Sequence, residues 1–398
     1  MDKVRVGIIG FGRMGITHYS IINTHPAVEM TAIADTSSTI LGMIKKYVPG
    51  VTMFNDYKDM LNSGLVDAVI VCTPSIMHYD VCKLACEKGV NVFCEKPFTT
   101  DPEKASELAD MFEAKGLVNQ VGYVYRFDPV FNKVKELIES GVIGDICHVN
   151  AQFLSATLVK MKPEKGWRSK RENGGGATYE MGSHVIDLME YLLGKPEKVI
   201  GSLLNKVYSE NVEDIVDVQL HYSGNTTGQI HVNWSEYTFR KPMLKLDIHG
   251  KKGKILADLY GYKIYLRDEN KSAGIPEGWT TVPMNMIPDP TPFYVRGTSF
   301  TNQLYAFADA IVENRKTTGC SFRSAADAAE TSISRFKIHF IRNHRFCQWV
   351  CASNSKLLSI CSNFVMISGK YDSFHAGAAI PFRRFCAPYS GLESRVPI

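Results

Sequence analysis

The chain has 398 residues, 45% of them hydrophobic and 22% charged, with a formal net charge of +4 and ten cysteines. That length allows two domains with sizeable cores, and no apolar run approaches the ~18 residues of a membrane span. The positive excess is local: residues 336–398 carry eight Lys and Arg against Asp372 and Glu393, a net of +6 that leaves −2 on everything before them, so the overall basicity does not argue for a nucleic-acid surface on the folded body.

The chain enters a β-rich run at once, 4–10, without the charged, apolar and cleavage regions of a secretory signal, which predicts a cytoplasmic protein. Cysteines without paired spacing in a chain of this size suit reduced thiols. Directly after the strand comes Gly10-Phe11-Gly12-Arg13-Met14-Gly15, then a helical stretch over 13–23. In this G-x-G-x-x-G order Gly10 permits a tight turn. Gly12 lets the backbone approach a pyrophosphate, and Gly15 lets the helix pack on the strand so that its N-terminus faces the phosphates. A second strand, 29–35, ends in Asp35, 20 positions after Gly15, where a carboxylate accepts hydrogen bonds from ribose hydroxyls. An acid there repels a 2′-phosphate, and Thr36, Ser37 and Ser38 offer no compensating Arg, so the expected cofactor is NAD rather than NADP.

Strands at 51–54, 67–72, 91–94 and 118–123 continue the series, alternating with helices at 38–47, 56–63, 78–88 and 102–115. This is the βαβ rhythm of a doubly wound parallel sheet, a Rossmann fold, over residues 1–125. The continuous apolar run Ala68-Val69-Ile70-Val71-Cys72 suits a strand covered on both faces. Beyond about 145 the pattern changes to long alternating strands at 147–155, 197–207, 214–222, 227–236, 243–249, 253–258 and 262–266, broken by a helix near 179–193. Residues 126–335 therefore read as a second, α+β domain on a large, mostly antiparallel open sheet. A last helix begins near Ser324. The segment 336–398, poor in acids and holding four of the ten cysteines, has no steady period and is expected to be poorly ordered and without catalytic role.

The fingerprint with Asp35, Cys72-Thr73-Pro74 with His78, Glu95-Lys96-Pro97, Gly122-Tyr123 with Arg126-Phe127, and Gly174-Gly175-Gly176 followed by Glu180-Met181-Gly182-Ser183-His184-Val185-Ile186-Asp187 together resemble the glucose-fructose oxidoreductase and inositol dehydrogenase family, Gfo/Idh/MocA, over roughly residues 1–335. The resemblance implies an N-terminal NAD(P) domain, with Thr73, Pro74, His78, Glu95 and Lys96 joining the glycine turn and Asp35 at the cofactor. It further implies a second domain whose open sheet serves for dimerisation, hence a homodimer or homotetramer, and oxidation or reduction of a sugar, inositol or related polyol.

The same residues support that chemistry on physical grounds. Lys96 follows a strand at the sheet's carboxyl edge, where an ammonium stabilises a developing alkoxide. Glu180 and His184 are i and i+4 on one helical face, so His184 is placed to accept an alcohol proton with Glu180 supporting it, and the triple glycine ahead of them is expected to let a ligand approach. Asp187 is expected to be structural or a substrate-edge contact. Arg126, Trp167 and Arg168 are candidates to line a sugar site, whereas Trp234 and Tyr237 are given no role. Cys82 with Cys86, and His344 with Cys347 and Cys351, lack the two-pair spacing of a zinc site, so no metal is expected. The reading favoured is a dehydrogenase acting on a secondary alcohol. The alternatives are an NAD-retaining glycosidase of the same fold or a non-catalytic sugar or dinucleotide sensor.

Overall fold

The computed structural model describes residues 3–157, 167–289, 291–316 and 318–331, with Trp167 and Glu172 described by their backbone alone; the expectations for Trp167's side chain and for 336–398 lie outside them. Six strands, β1 Val4–Ile9, β2 Val28–Ala34, β3 Thr52–Phe54, β4 Ala68–Val71, β5 Asn91–Cys94 and β6 Asn119–Val121, form an all-parallel sheet in the order β3-β2-β1-β4-β5-β6. Helices α1 Arg13–Ile22, α2 Ser38–Ile44, α3 Tyr57–Asn62, α4 His78–Glu87 and α5 Pro102–Lys115 connect them, which is the doubly wound arrangement expected from the alternating pattern. All four residues of β4 are inaccessible to solvent, as a strand covered by helices on both faces must be.

Register explains why residues scattered over 120 positions belong together. Ile9 pairs with Ala34 and Val71, Val71 with Cys94, and Cys94 with Val121. The next residue on each strand is therefore Gly10, Asp35, Cys72, Glu95 and Gly122, a single row along the carboxyl edge. The strand order reverses between β1 and β4, the place where such sheets leave a crevice for a ligand.

A second sheet of eight strands follows the order β14-β13-β12-β11-β7-β10-β9-β8, antiparallel throughout except for the parallel pair β7 and β10. Its strands are β7 Ile146–Leu154, β8 Lys198–Asn205, β9 Ile215–His221, β10 Thr227–Asn233, β11 Met243–Gly250, β12 Gly253–Asp258, β13 Gly261–Leu266 and β14 Gly278–Pro283. Burial alternates along β9 and β10. The packed face meets Val130, Phe131 and Val134 of α6, Pro129–Glu139, and Val185, Leu188 and Met189 of α7, Ser183–Leu193. Two later helices return to the first sheet. In α8, Thr298–Val312, Leu304, Phe307 and Ala308 pack among Val4, Val6 and Ile8, and in α9, Phe322–Ala329, Phe322 and Ala325 pack with Phe98 and Phe112. Among the described residues no helix is long and apolar enough to cross a membrane.

Candidate active site

The glycine turn is built by close approach. Gly10 has φ +89°, and a Cβ there would stand 2.9 Å from the backbone of Cys72; a Cβ on Gly15 would stand 2.2 Å from the Gly10 carbonyl oxygen. Both positions thus exclude side chains for reasons internal to the protein. Gly12 differs, since among the described residues a Cβ there would meet no atom of another element within 4 Å. It begins α1 without a side-chain cap and faces open space, as a turn that receives a pyrophosphate requires. Asp35 accepts from the backbone N–H of Phe11 at 2.7 Å and of Ser37 at 2.8 Å, which holds its carboxylate beside the turn. Each oxygen keeps a further lone pair for a hydroxyl. The Thr73 hydroxyl, next to Gly10, is buried with no partner among the described residues. An open helix terminus, a fixed carboxylate and an orphaned hydroxyl on one sheet edge fit a dinucleotide.

Glu95 and His78 secure this edge from beneath. Glu95 lies 2.6 Å from His18 Nε2 of α1 and accepts from the Lys96 backbone N–H at 3.2 Å. Burial works against its charged form, but His18 and Lys96 outweigh that and hold the carboxyl below its usual range. His78, expected at the cofactor, is buried with Nδ1 3.0 Å from the Pro97 carbonyl and Nε2 3.0 Å from the Thr73 carbonyl. It ties the turn after β4 to the turn after β5, and burial keeps its pKa below the ordinary histidine value. Pro74 leads directly into that turn.

Lys96 crosses from this edge to a single π-type turn, Thr178–Gly182, that precedes α7; such turns recur where a helix must re-aim a side chain. Its ammonium donates to the Glu180 carbonyl oxygen at 2.9 Å and stands 3.3 Å from Glu180 Oε2. The other carboxylate oxygen, Oε1, accepts from Arg168 Nη2 at 2.9 Å and Nε at 3.2 Å. Burial opposes ionisation of Glu180, and the two cations outweigh it, so its carboxyl lies below the usual range. His184, one turn beyond Glu180, sits in an aromatic cage of Tyr125, Tyr123 and Phe153, with ring centroids at 5.1, 5.8 and 6.1 Å. Burial, then the charge of Lys96, push its pKa well below 6.5, and its Nδ1 is buried without a partner among the described residues. No hydrogen bond joins Glu180 to His184 among the described residues; Glu180 serves Lys96 and Arg168 instead.

Two expectations are redirected by packing. Arg126, expected to face a sugar, closes its fork on Asp187 at 2.9 and 2.8 Å, with both residues buried and the guanidinium 5.2 Å over Tyr191. The triple glycine, expected to admit a ligand, is closed by the protein itself. Cβ atoms on Gly174, Gly175 and Gly176 would meet Ser75 Oγ at 2.5 Å, the Arg168 carbonyl at 2.3 Å and the Glu213 carboxylate at 2.6 Å. Glu213, which sequence reasoning missed, accepts from Thr178 N at 3.0 Å and Arg171 at 3.2 Å, and so anchors the turn that aims Glu180. Trp234 is buried and donates to Asp214 at 2.8 Å. Among the described residues no cluster of His, Cys, Asp and Glu is arranged to hold a metal ion.

The oxidoreductase family model described as an NAD-binding Rossmann fold, GFO_IDH_MocA, matches residues 4–123, and the GFO/IDH/MocA C-terminal domain model matches 131–256. The rhizopine catabolism protein MocA of Rhizobium meliloti is 31% identical over 49% of this chain and 59% of its own length. The scyllo-inositol 2-dehydrogenase (NADP(+)) IolW of Bacillus subtilis is 28% identical over 56% of this chain and 61% of its own; the chain thus spans about three-fifths of each. Levoglucosan dehydrogenase in complex with NADH has the same fold, with a TM-score of 0.73 at 21% identity over 84% of this chain and 96% of that one.

Proposed function

The chain belongs to the Gfo/Idh/MocA oxidoreductase family, whose N-terminal part is an NAD-binding Rossmann domain, and from that premise we propose that it is an NAD-dependent dehydrogenase acting on a secondary alcohol of a sugar, inositol or sugar derivative. The observation that carries the reading is the meeting of Lys96, from the carboxyl edge of the first sheet, with Glu180 on the π-type turn that leads into α7 and its caged His184. We take 1–125 as the cofactor domain and 126–335 as the substrate domain, with α8 and α9 packing back on the first.

When bound at the sheet edge, the nicotinamide supplies the carbon that accepts a hydride. Lys96 donates a hydrogen bond to the substrate oxygen and stabilises the charge that grows there as the C–H bond breaks. His184, neutral at physiological pH because of its cage and of Lys96, takes the hydroxyl proton through an imidazole nitrogen, leaving C=O in place of CH–OH. Glu180 fixes Lys96, and Arg168 fixes Glu180. The Arg126–Asp187 pair positions α7 rather than touching substrate. Asp35 selects NAD over NADP by charge. The six described cysteines are all free, in keeping with a reducing compartment, and we place the protein in the cytoplasm. A homodimer or homotetramer through the open face of the second sheet is the proposed assembly, to be measured by light scattering.

The test is absorbance at the reduced-nicotinamide band with NAD or NADP and a panel of inositols, aldoses and uronic or nucleotide sugars, beside Lys96→Ala. Growth of NADH with one polyol class, lost in the variant, supports the reading. NAD binding without turnover on any member would overturn it in favour of a sensor or of bond cleavage without net reduction.

A further inference from the structure

Helix α8 lies along α1 and runs the same way. Arg296 Nη1 is 3.2 Å from Met14 Sδ, Phe300 packs on His18 at 6.3 Å between centroids, Tyr305 Oη is 3.0 Å from Thr24 Oγ1, and Asp309 is 3.0 Å from His25 Nε2. These contacts advance together along both helices, so both N-termini, with their positive dipole ends, lie at the carboxyl edge beside the glycine turn. Each begins at a glycine, Gly12 and Gly297, which offers no side-chain cap, and among the described residues no side chain accepts from its first N–H groups.

Arg296 precedes α8 in a left-handed conformation, φ +62°, which residues other than Gly, Asn and Asp seldom adopt. Its guanidinium lies over the Phe300 ring at 5.1 Å, so it is aimed rather than free to sweep. Arg13 stands close enough that, after partial burial, its charge is the next influence lowering the Arg296 pKa, and Glu95 opposes it. Among the described residues no carboxylate pairs with either guanidinium. Two helix ends and the Arg296 guanidinium at one turn, with Arg13 in the first position of α1, suit an anion with more than one charge.

We propose that Arg296 is a second cation for the pyrophosphate of the dinucleotide, carried in by the segment between β14 and α8, so that residues far beyond the first domain complete its phosphate site. This rests on the dinucleotide reading. The binding energy of the cofactor then also holds α8 against α1 at the edge where Lys96 and Glu95 sit, which couples cofactor affinity to the docking of that helix.

The experiment titrates the full chain and its Arg296→Gln and Arg296→Gly variants with NAD, ADP-ribose and adenosine by calorimetry at two salt concentrations. Glycine relieves the positive φ, so Arg296→Gly separates loss of the charge from any loss of fold. Both variants are expected to bind NAD and ADP-ribose about tenfold more weakly, with a shallower salt dependence, and adenosine unchanged. Equal affinity for NAD in wild type and variants overturns the proposal while leaving the dinucleotide reading intact, as does an equal loss for adenosine. Failure of the wild type itself to bind NAD and ADP-ribose overturns both.

Discussion

Lys96 and Glu180 meet at two points, the ammonium donating to the backbone carbonyl at 2.9 Å and standing 3.3 Å from Oε2. The backbone contact survives any substitution of the glutamate side chain, whereas the carboxylate contact does not. Lys96 therefore stays near its place in Glu180→Gln but loses the charge that steadies it. Lys96→Ala is expected to lower kcat/KM for a polyol by about a hundredfold to a thousandfold, and Glu180→Gln by about tenfold. NAD affinity should change little in Glu180→Gln. Steady-state kinetics beside NADH titration checks both, and a Glu180→Gln rate equal to wild type would remove the carboxylate from the mechanism.

Asp35 is held by the N–H groups of Phe11 and Ser37, one on each carboxylate oxygen, so an asparagine there keeps one of these bonds and loses the other along with the charge. Asp35→Asn keeps an oxygen acceptor there and removes the repulsion of a 2′-phosphate. The ratio of NAD to NADP affinity is expected to fall by about tenfold or more, corresponding to about 1.4 kcal/mol, without a change in melting midpoint larger than a few degrees. Paired calorimetric titrations give the ratio directly.

His184 titrates well below 6.5 because burial, then Lys96, disfavour its imidazolium. In the oxidation direction the neutral ring is the competent form, so the acidic limb of kcat/KM lies well below pH 6.5, and Lys96→Met moves the titration of His184 upward. Proton binding also links to folding. The unfolded ring takes up its proton near 6.5 and the folded ring resists, so this contribution to stability is complete above 6.5 and is lost as pH falls below it toward the folded value. An NMR titration of the ring in wild type and in Lys96→Met checks the shift, and an unchanged pKa in the variant would rule out the electrostatic part.

What the sequence discloses follows from what is local in it. The six strands of the first sheet are short apolar runs between turn signals, and register alone then gathers Gly10, Asp35, Thr73 and Lys96 on one edge. Helix α6 has a local start signal as well, Pro129 in the first position behind Asp128, which accepts from Val130 N, although no helix is expected there from the sequence. Helix α8 carries apolar residues at 300, 304, 307, 308 and 311, yet the role proposed for it depends on lying against α1, nearly three hundred residues earlier. The roles of Arg126 and of the triple glycine were not legible because each is set by a distant partner, Asp187 in one case and Ser75 and Glu213 in the other.

That distinction among glycines makes a sharp test. Among the described residues a methyl at Gly12 meets no atom of another element within 4 Å, while at Gly176, with φ +106°, it meets the Glu213 carboxylate at 2.6 Å. Gly12→Ala is therefore expected to melt like wild type and to bind NAD at least about tenfold more weakly. Gly176→Ala should lose about 1–3 kcal/mol of stability through strain and displacement of Glu213. Thermal melts and NADH titration of the two variants separate a glycine kept for a ligand from one kept for the fold.

Glu190, on the far side of α7, provides a pH signal of opposite sign. Burial, then the neighbouring Asp187 and Asp327, outweigh the Thr331 hydrogen bond at 2.5 Å and the charge of Lys195, and raise its carboxyl to about 7. Below about 4.5 the group is protonated in both folded and unfolded chains and contributes no linkage. Between about 4.5 and 7 the unfolded chain releases the proton while the folded one keeps it, so stability falls as pH rises through this window and stays low above it. Glu190→Gln keeps an acceptor for Thr331 and never ionises. It should gain about 2 kcal/mol at about pH 8 and little at about pH 4.5, a rise of a few degrees in the midpoint seen only at the higher pH. Melting curves of the two proteins across that range decide it, and superimposable curves at the higher pH would mean that the folded protein bears this carboxylate at no cost.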